Sequence, residues 1–259
     1  STGADEEHLF PFYLKRDKKP ILLHWKFFQE KHIMRMDFGD CDADLALEFV
    51  DILFDSKLFL KLEIVLFPCD YPLFDYFTDK IRTKTNIEHF GFNFDPPPPR
   101  YDIGTDVPVK EAVEALLSNT TMNSFRIHSG TSVPDFARVV LDTVSRCPNI
   151  KKLKITGRLT DEDFDDISAV LEANSLPAKT LCVASYGRQG GSADNHFFHA
   201  LAVNKSLRTI SFSGIYMGPE IHSALAKVFS VNHTLRVLWS ASNIRADSFL
   251  SKETLHLFT

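Results

Sequence analysis

Several residue groups in this chain have types and spacings that could do chemistry. Asp40, Asp42 and Asp44 alternate as the carboxylates of a calcium loop do, yet the segment lacks that loop's glycine turn and its full ligand spacing. His196 and His199 put two imidazoles near one helix face with Asp194 close by. Zinc would need further ligands, and His222 is the nearby candidate. Gly187-Arg-Gln-Gly-Gly191 is rich in glycine but lacks the Lys-Ser/Thr ending of a phosphate-binding loop, which leaves a flexible turn. Asn119, Asn204 and Asn232 each head an N-x-S/T sequon. No Ser/His/Asp, Cys/His or paired-carboxylate arrangement has a defensible geometry, so the chain is expected to be no enzyme and to hold no metal and no cofactor.

The elements that position these residues follow from a period. Apolar pairs stand at Met34/Met36, Leu62/Ile64, Phe90/Phe92, Phe125/Ile127, Leu153/Ile155, Leu181/Val183 and Ile210/Phe212, with a weaker pair at Leu238/Ser240. Successive second members are 28, 28, 35, 28, 28, 29 and 28 residues apart. A third apolar position lies three residues before most pairs, as at Phe59, Ile87, Ile150 and Leu207, while the residue inside each pair is mostly not apolar. Alternation with period two marks a strand buried on one face, and its return at a fixed interval marks stacked supersecondary units. Between strands, apolar residues four apart (Val140/Val144, Ile167/Leu171, Phe197/Leu201, Leu225/Phe229) make a helical stripe. Helix starts carry acids or proline at Asp161-Glu-Asp163, Pro134-Asp135 and Pro219-Glu220. Each unit therefore reads strand, loop, helix, return.

The period explains several of the chemical candidates. The acids around Asp40 fall at a helix start. The three sequons share one phase, eight residues before the second member of the next pair, which predicts asparagines in left-handed backbone ending helices rather than glycan sites. Cys41 and Cys69 lie one repeat apart, so a disulfide spacing of about 5–6 Å is open to them, as is the reduced state of packing cysteines in a cytosolic protein.

The segments Leu207-Arg-Thr-Ile-Ser-Phe212 and Leu235-Arg-Val-Leu-Trp-Ser240, each preceded by Asn-x-Ser/Thr, resemble the leucine-rich repeats of the ribonuclease-inhibitor type. The resemblance covers roughly residues 29–250. It implies an α/β solenoid of about eight repeats, a horseshoe with a parallel β-sheet on the concave face and helices on the convex face. It also implies an intracellular protein that binds other proteins. The chain departs from the family in using Phe, Met and Ile for many leucines (23 Phe in all). It also lacks nearly all of the usual Asn or Cys three residues past the box, Asn243 excepted.

The expected layout is an N-terminal tail and capping helix over 1–28, built on Ile21-Leu22-Leu23, Trp25, Phe27 and Phe28. The solenoid occupies 29–250, and 251–259 forms a C-terminal cap or a truncated continuation, with Phe249, Leu250, Leu255 and Leu257 as the apolar cover. The 35-residue interval holds a proline-rich insertion at 94–101, whose four prolines favour an extended stiff spacer or a protruding contact that presents Arg100 and Tyr101. A formal net charge of −5 with mixed signs argues against a nucleic-acid partner. No apolar run approaches the about 18 residues of a membrane span, and Ser1 to Asp17 has no signal-peptide core, which favours a cytoplasmic location.

What the repeat does not explain is its outward strand surface. Arg126, His128, Lys152 and Lys154 are expected to gather in adjacent repeats as a basic centre, and Val237 with Trp239 makes an apolar spot beside Thr209, Ser211 and Cys182. Tryptophan is a frequent hot-spot residue. The expected function is a non-catalytic protein–protein interaction module that binds a protein or peptide with an acidic patch. Two other readings remain: a regulator of a partner enzyme, resembling the leucine-rich-repeat activators of small GTPases with Arg35 or Arg100 supplying charge, and the sensor or effector domain of a longer protein.

Overall fold

The computed structural model describes residues 10–12, 21–23, 25–28, 33–37, 61–66, 87–94, 113–115 and 121–130 of the first half, with helical positions at 47, 51, 76, 78–80, 82 and 83. In the second half it describes 133–186, 192–215 and 219–240. Two compact units divide the chain, Ser1–Thr131 and Ser132–Thr259.

In the first unit, β1 (Phe10–Phe12) pairs antiparallel with β2 (Ile21–Leu23). A sheet then runs in the order β3 (Trp25–Phe28), β4 (Ile33–Asp37), β5 (Lys61–Leu66), β6 (His89–Phe94) and β7 (Ser124–Ser129). From β4 to β7 the strands are parallel and match box to box, Met34 to Leu62, Leu62 to Phe90 and Phe90 to Phe125. The 35-residue interval leaves this register intact, so its extra residues are taken up between β6 and β7. Residues 95–101 of the insertion lie outside the described residues.

The capping helix expected over 21–28 is not what the chain forms: this stretch is β2 and β3. Trp25-Lys26-Phe27 alternates with period two, and β3 pairs antiparallel with β4 so that Trp25 meets Met36, Lys26 meets Arg35 and Phe27 meets Met34. Aromatic residues favour this pleated setting. Only residues 29–32 join the two strands, enough for an antiparallel return and far too few for a parallel crossover. The edge of the parallel strands is thus covered by a strand. The C-terminal cap or continuation expected over 251–259, and Phe249 and Leu250 before it, lie outside the described residues.

The second unit repeats strand and helix in order: α1 (Phe136–Ser145), β8 (Lys152–Gly157), α2 (Asp161–Glu172), β9 (Thr180–Ser185), α3 (Ser192–Val203), β10 (Thr209–Ser213), α4 (Pro219–Val231) and β11 (Val237–Ser240). Leu153, Leu181, Ile210 and Leu238 stand in one row across four parallel strands, and the 29-residue interval does not shift it. The helical stripes point inward: Val140, Val144, Ile167, Leu171, Phe197 and Leu201 are fully buried. In α4 the stripe is Ile221, Leu225 and Val228, with Phe229 only half-buried.

Phenylalanine in place of leucine gives this core its geometry. Phe197 meets Phe164, Phe198 and Phe212 edge to face at 5.7, 5.5 and 6.2 Å, and Phe198 meets Phe212 at 5.3 Å. Burying each ring stabilises the fold by roughly 1.5–3 kcal/mol, and the edge-to-face contacts lock α2, α3 and β10 together.

Helix starts behave as their residues predict, with one addition. Thr160 caps α2 reciprocally with Asp163, and Pro219 opens α4. Asp163 is also buried and accepts the amide N–H of Ala137 in α1 at 2.8 Å. That bond serves a helix whose own N-cap, Asp135, sits in left-handed backbone (φ 54°) and makes no side-chain cap bond. One carboxylate therefore satisfies the N-termini of two successive helices.

Candidate functional site

The in-register strands of the second unit carry their outward, exposed or half-buried residues in rows. Lys152, Thr180, Thr209 and Val237 form one; Lys154, Cys182, Ser211 and Trp239 form the next. Alternation turns their neighbours Leu153, Leu181 and Ile210 into the core, so the rows face away from the helices. With strands about 4.8 Å apart, each row spans about 14 Å from lysine to the last strand. Both rows run from ammonium groups through small hydroxyl and thiol side chains to an apolar end. Trp239 is 67% exposed and Val237 38%. Two residues further along, Thr156 and Ala184 are buried and Ser213 is half-buried, so the surface narrows there.

The residues expected to form the basic centre belong two to each unit. Arg126 and His128 lie half-buried on β7 in the first unit, opposite Gly91 and Asn93 of β6. Lys152 and Lys154 lie on β8 in the second. The described geometry thus joins the lysines to Val237 and Trp239. Arg100 and Tyr101 lie outside the described residues.

The other candidates resolve differently. Asp40, Asp42, Asp44, Cys41, Cys69, Gly187–Gly191 and Asn119 fall outside the described residues. His196 is exposed and its Nδ1 sits 3.0 Å from an Asp165 carboxylate oxygen, while Asp194 of the same helix is buried. Among the described residues no group of three or more His, Cys, Asp or Glu side chains converges on one point. No helix among them is long and apolar enough to cross a membrane.

The sequon asparagines need a correction. Asn204 and Asn232 are not left-handed helix ends; among the described non-glycine residues that conformation belongs to Asp135 and Asn174. Their backbone N–H groups still donate to Ala200 and Val228 as helical amides do. Their side chains are buried and bond across repeats. Asn204 Nδ2 donates to the Leu171 carbonyl at 2.7 Å, and its Oδ1 accepts from the amides of Ser206 and Leu207 at 3.0 and 2.8 Å. Asn232 repeats this one unit later, donating to the carbonyls of Leu201 and Asn204 at 2.6 and 2.9 Å and accepting from Thr234 and Leu235. An inward Nδ2 committed to carbonyls is not open to a glycan in the folded unit. The signal was present as Asn-x-Ser/Thr-Leu at an interval of 28, but nothing local says that the amide turns inward.

A side-chain tie in the first unit escaped sequence reading altogether. Asp51 accepts from the Tyr76 hydroxyl and pairs with Lys80, whose ammonium lies 5.0 Å from the Tyr76 ring centre. The hydrogen bond from Lys80, then that from Tyr76, holds the Asp51 carboxyl below its ordinary range. The tie joins residues of two repeats and marks a structural contact.

The two described cysteines differ in access. Cys182 is half-exposed between Lys154 and Ser211, whereas Cys147 is buried, donates to the Thr143 carbonyl, and has its thiol pushed up chiefly by burial. Thiolate is the reactive form. Under native conditions at pH 8, a maleimide is therefore expected to label Cys182 at least about tenfold faster than Cys147, checked by peptide mass mapping.

Neither a family model nor a curated protein sequence matches the chain. Among solved structures, the tropomodulin C-terminal domain of Caenorhabditis elegans is similar over 73% of this chain and 94% of that one, with a TM-score of 0.37 and 13% sequence identity.

Proposed function

We propose that this chain is a non-catalytic interaction module, a leucine-rich-repeat solenoid of the ribonuclease-inhibitor type in an intracellular protein, that binds an acidic protein or peptide segment on its strand face. The observation that carries this reading is the pair of rows from Lys152 and Lys154 to Val237 and Trp239. An exposed tryptophan beside an exposed valine, with the small Ser211 and Cys182 in its own row, is the kind of anchor that a partner's side chains cover. Lysines about 14 Å away add a charged end, which sets the orientation of a bound segment and its rate of encounter more than its affinity.

The test compares capture by the unaltered chain with capture by Lys152→Glu/Lys154→Glu and by Trp239→Ala. Lys152 and Trp239 are exposed and Lys154 is half-buried, so thermal unfolding should shift by less than about 1 kcal/mol. The lysine reversal should slow association and flatten or invert its loss with salt, since salt then screens repulsion, while Trp239→Ala should weaken binding by about 2 kcal/mol or more, mainly through faster dissociation. A partner that binds both variants as tightly as the parent overturns the reading.

A further inference from the structure

A second charged feature lies on the edge of the second unit, one residue ahead of each strand. Lys151, Lys179, Arg208 and Arg236 precede β8, β9, β10 and β11, and all four are exposed. Backbone bonds tie them rung to rung: the Lys179 amide donates to the Lys151 carbonyl at 2.9 Å, Arg208 to Lys179 at 2.9 Å, and Arg236 to Arg208 at 2.8 Å. The backbone positions that carry the cations are therefore held at the strand spacing of about 4.8 Å, and the row spans about 14 Å.

Four like charges at that spacing repel one another, and among the described residues none of them forms an ion pair. Lys151 alone has a partner, the Pro148 carbonyl. Helix dipoles do not explain the row. The last helical residues before these cations are Ser145, Glu172, Val203 and Val231, five or more positions upstream, and the dipole's pull fades within the last turn. Many of the described acids of the unit stand at the helix starts, as Asp161, Glu162, Asp163, Asp194 and Glu220, while Asp142 lies within α1 and Glu172 ends α2. On a chain of net charge −5, the row is thus a run of four cations without an ion-pair partner among the described residues.

We propose that this row is a docking rail for an acidic α-helix of a partner protein, laid across the strand starts with one carboxylate per turn. A helix advances about 5.4 Å per turn, so acids at i, i+4, i+7 and i+11 span about 16 Å and meet all four cations. An extended segment repeats its like-facing side chains every 6.6 Å or so and falls out of step. Single-stranded nucleic acid needs aromatic platforms along its track, and the four rungs supply none. The rail uses none of the residues of the strand-face site and stands whether or not that face binds.

The probe is an alanine-based helical peptide with glutamate at i, i+4, i+7 and i+11, titrated into the whole chain and followed by amide chemical shifts. The expected result is saturable binding whose shifts centre on Lys151, Lys179, Arg208 and Arg236, and which weakens at least about tenfold in Arg208→Glu/Arg236→Glu and on raising salt to about 0.3 M. If that variant fails to fold, Arg208→Gln/Arg236→Gln, which removes charge without reversing it, takes its place and should weaken binding several-fold. Lys152→Glu/Lys154→Glu should leave the rung shifts in place, which separates the rail from the strand face. Equal binding of a peptide with the same glutamates scattered around the helix overturns the proposal, as does tighter binding of oligo-deoxythymidine or no saturable binding at all.

Discussion

Asn204→Asp is expected to lower the stability of the second unit by about 3–5 kcal/mol at neutral pH, read from chemical denaturation. The substitution is nearly isosteric, so the loss is electrostatic. Asn204 is 1% exposed, and its Nδ2 donates to the Leu171 carbonyl while Oδ1 receives the Ser206 and Leu207 amides. A carboxylate keeps the accepting half, loses the donating half, and sets an anion against a carbonyl oxygen out of water. Burial raises the folded pKa of such a carboxyl above its unfolded value, so the penalty is full above the raised pKa, shrinks as pH falls through it, and levels off below about 4, where the group is protonated in both states. Asn174→Asp supplies the control. Asn174 is exposed in left-handed backbone; its Oδ1 accepts the Lys205 amide, a role aspartate can also fill, and the bond its Nδ2 donates to the Glu172 carbonyl is open to water, so the change should cost less than about 1 kcal/mol. Equal destabilisation by the two substitutions would show that the inward amides are not what holds consecutive repeats together.

Gly214→Ala is expected to destabilise the same unit by about 3 kcal/mol or more, with a thermal midpoint lowered by roughly 6 °C or more. Gly214 follows β10 at φ +75°, a conformation an L side chain rarely adopts, and a Cβ there would lie 1.9 Å from the Ser185 carbonyl oxygen. Backbone on both sides of that contact is held. Ser185 is buried at the end of β9, its hydroxyl bonded to the Leu159 carbonyl, and β10 is in register with β9. Relief would require moving one strand against the next, which disturbs the Leu181–Ile210 rung as well. A normal midpoint for this variant would mean that the repeats tolerate slippage that their packing argues against.

Strand positions were legible because burial on one face imposes alternation that any window can detect, and the interval from one pair to the next needs no knowledge of contacts. Helix starts at Asp161 and Pro219 were legible for a similar reason, since capping acts within one turn. The strand identity of 21–28 was harder. Trp25-Lys26-Phe27 alternates, yet its apolar neighbours also suit a helix, and pairing with Met34 and Met36 decides between them. The candidate site was half legible: the period placed Lys152, Lys154, Val237 and Trp239 on one surface, but it could not say that Thr156 and Ala184 beside them are covered. The role of Asp163 was hidden too, because Ala137, whose amide it accepts, is 26 positions away.

By itself the sequence determined the repeat, the register of its strands and the outward row from lysine to tryptophan, because periodic burial is written into residue spacing. Only the tertiary structure decided that Asn204 and Asn232 turn inward, that a strand covers the first edge of the parallel strands, and that Lys151, Lys179, Arg208 and Arg236 stand as consecutive rungs. The reason is the same in each case. These are pairings between residues in different segments, and along the chain every member looks like an ordinary amide, aromatic or surface charge until the strands set it beside its partner.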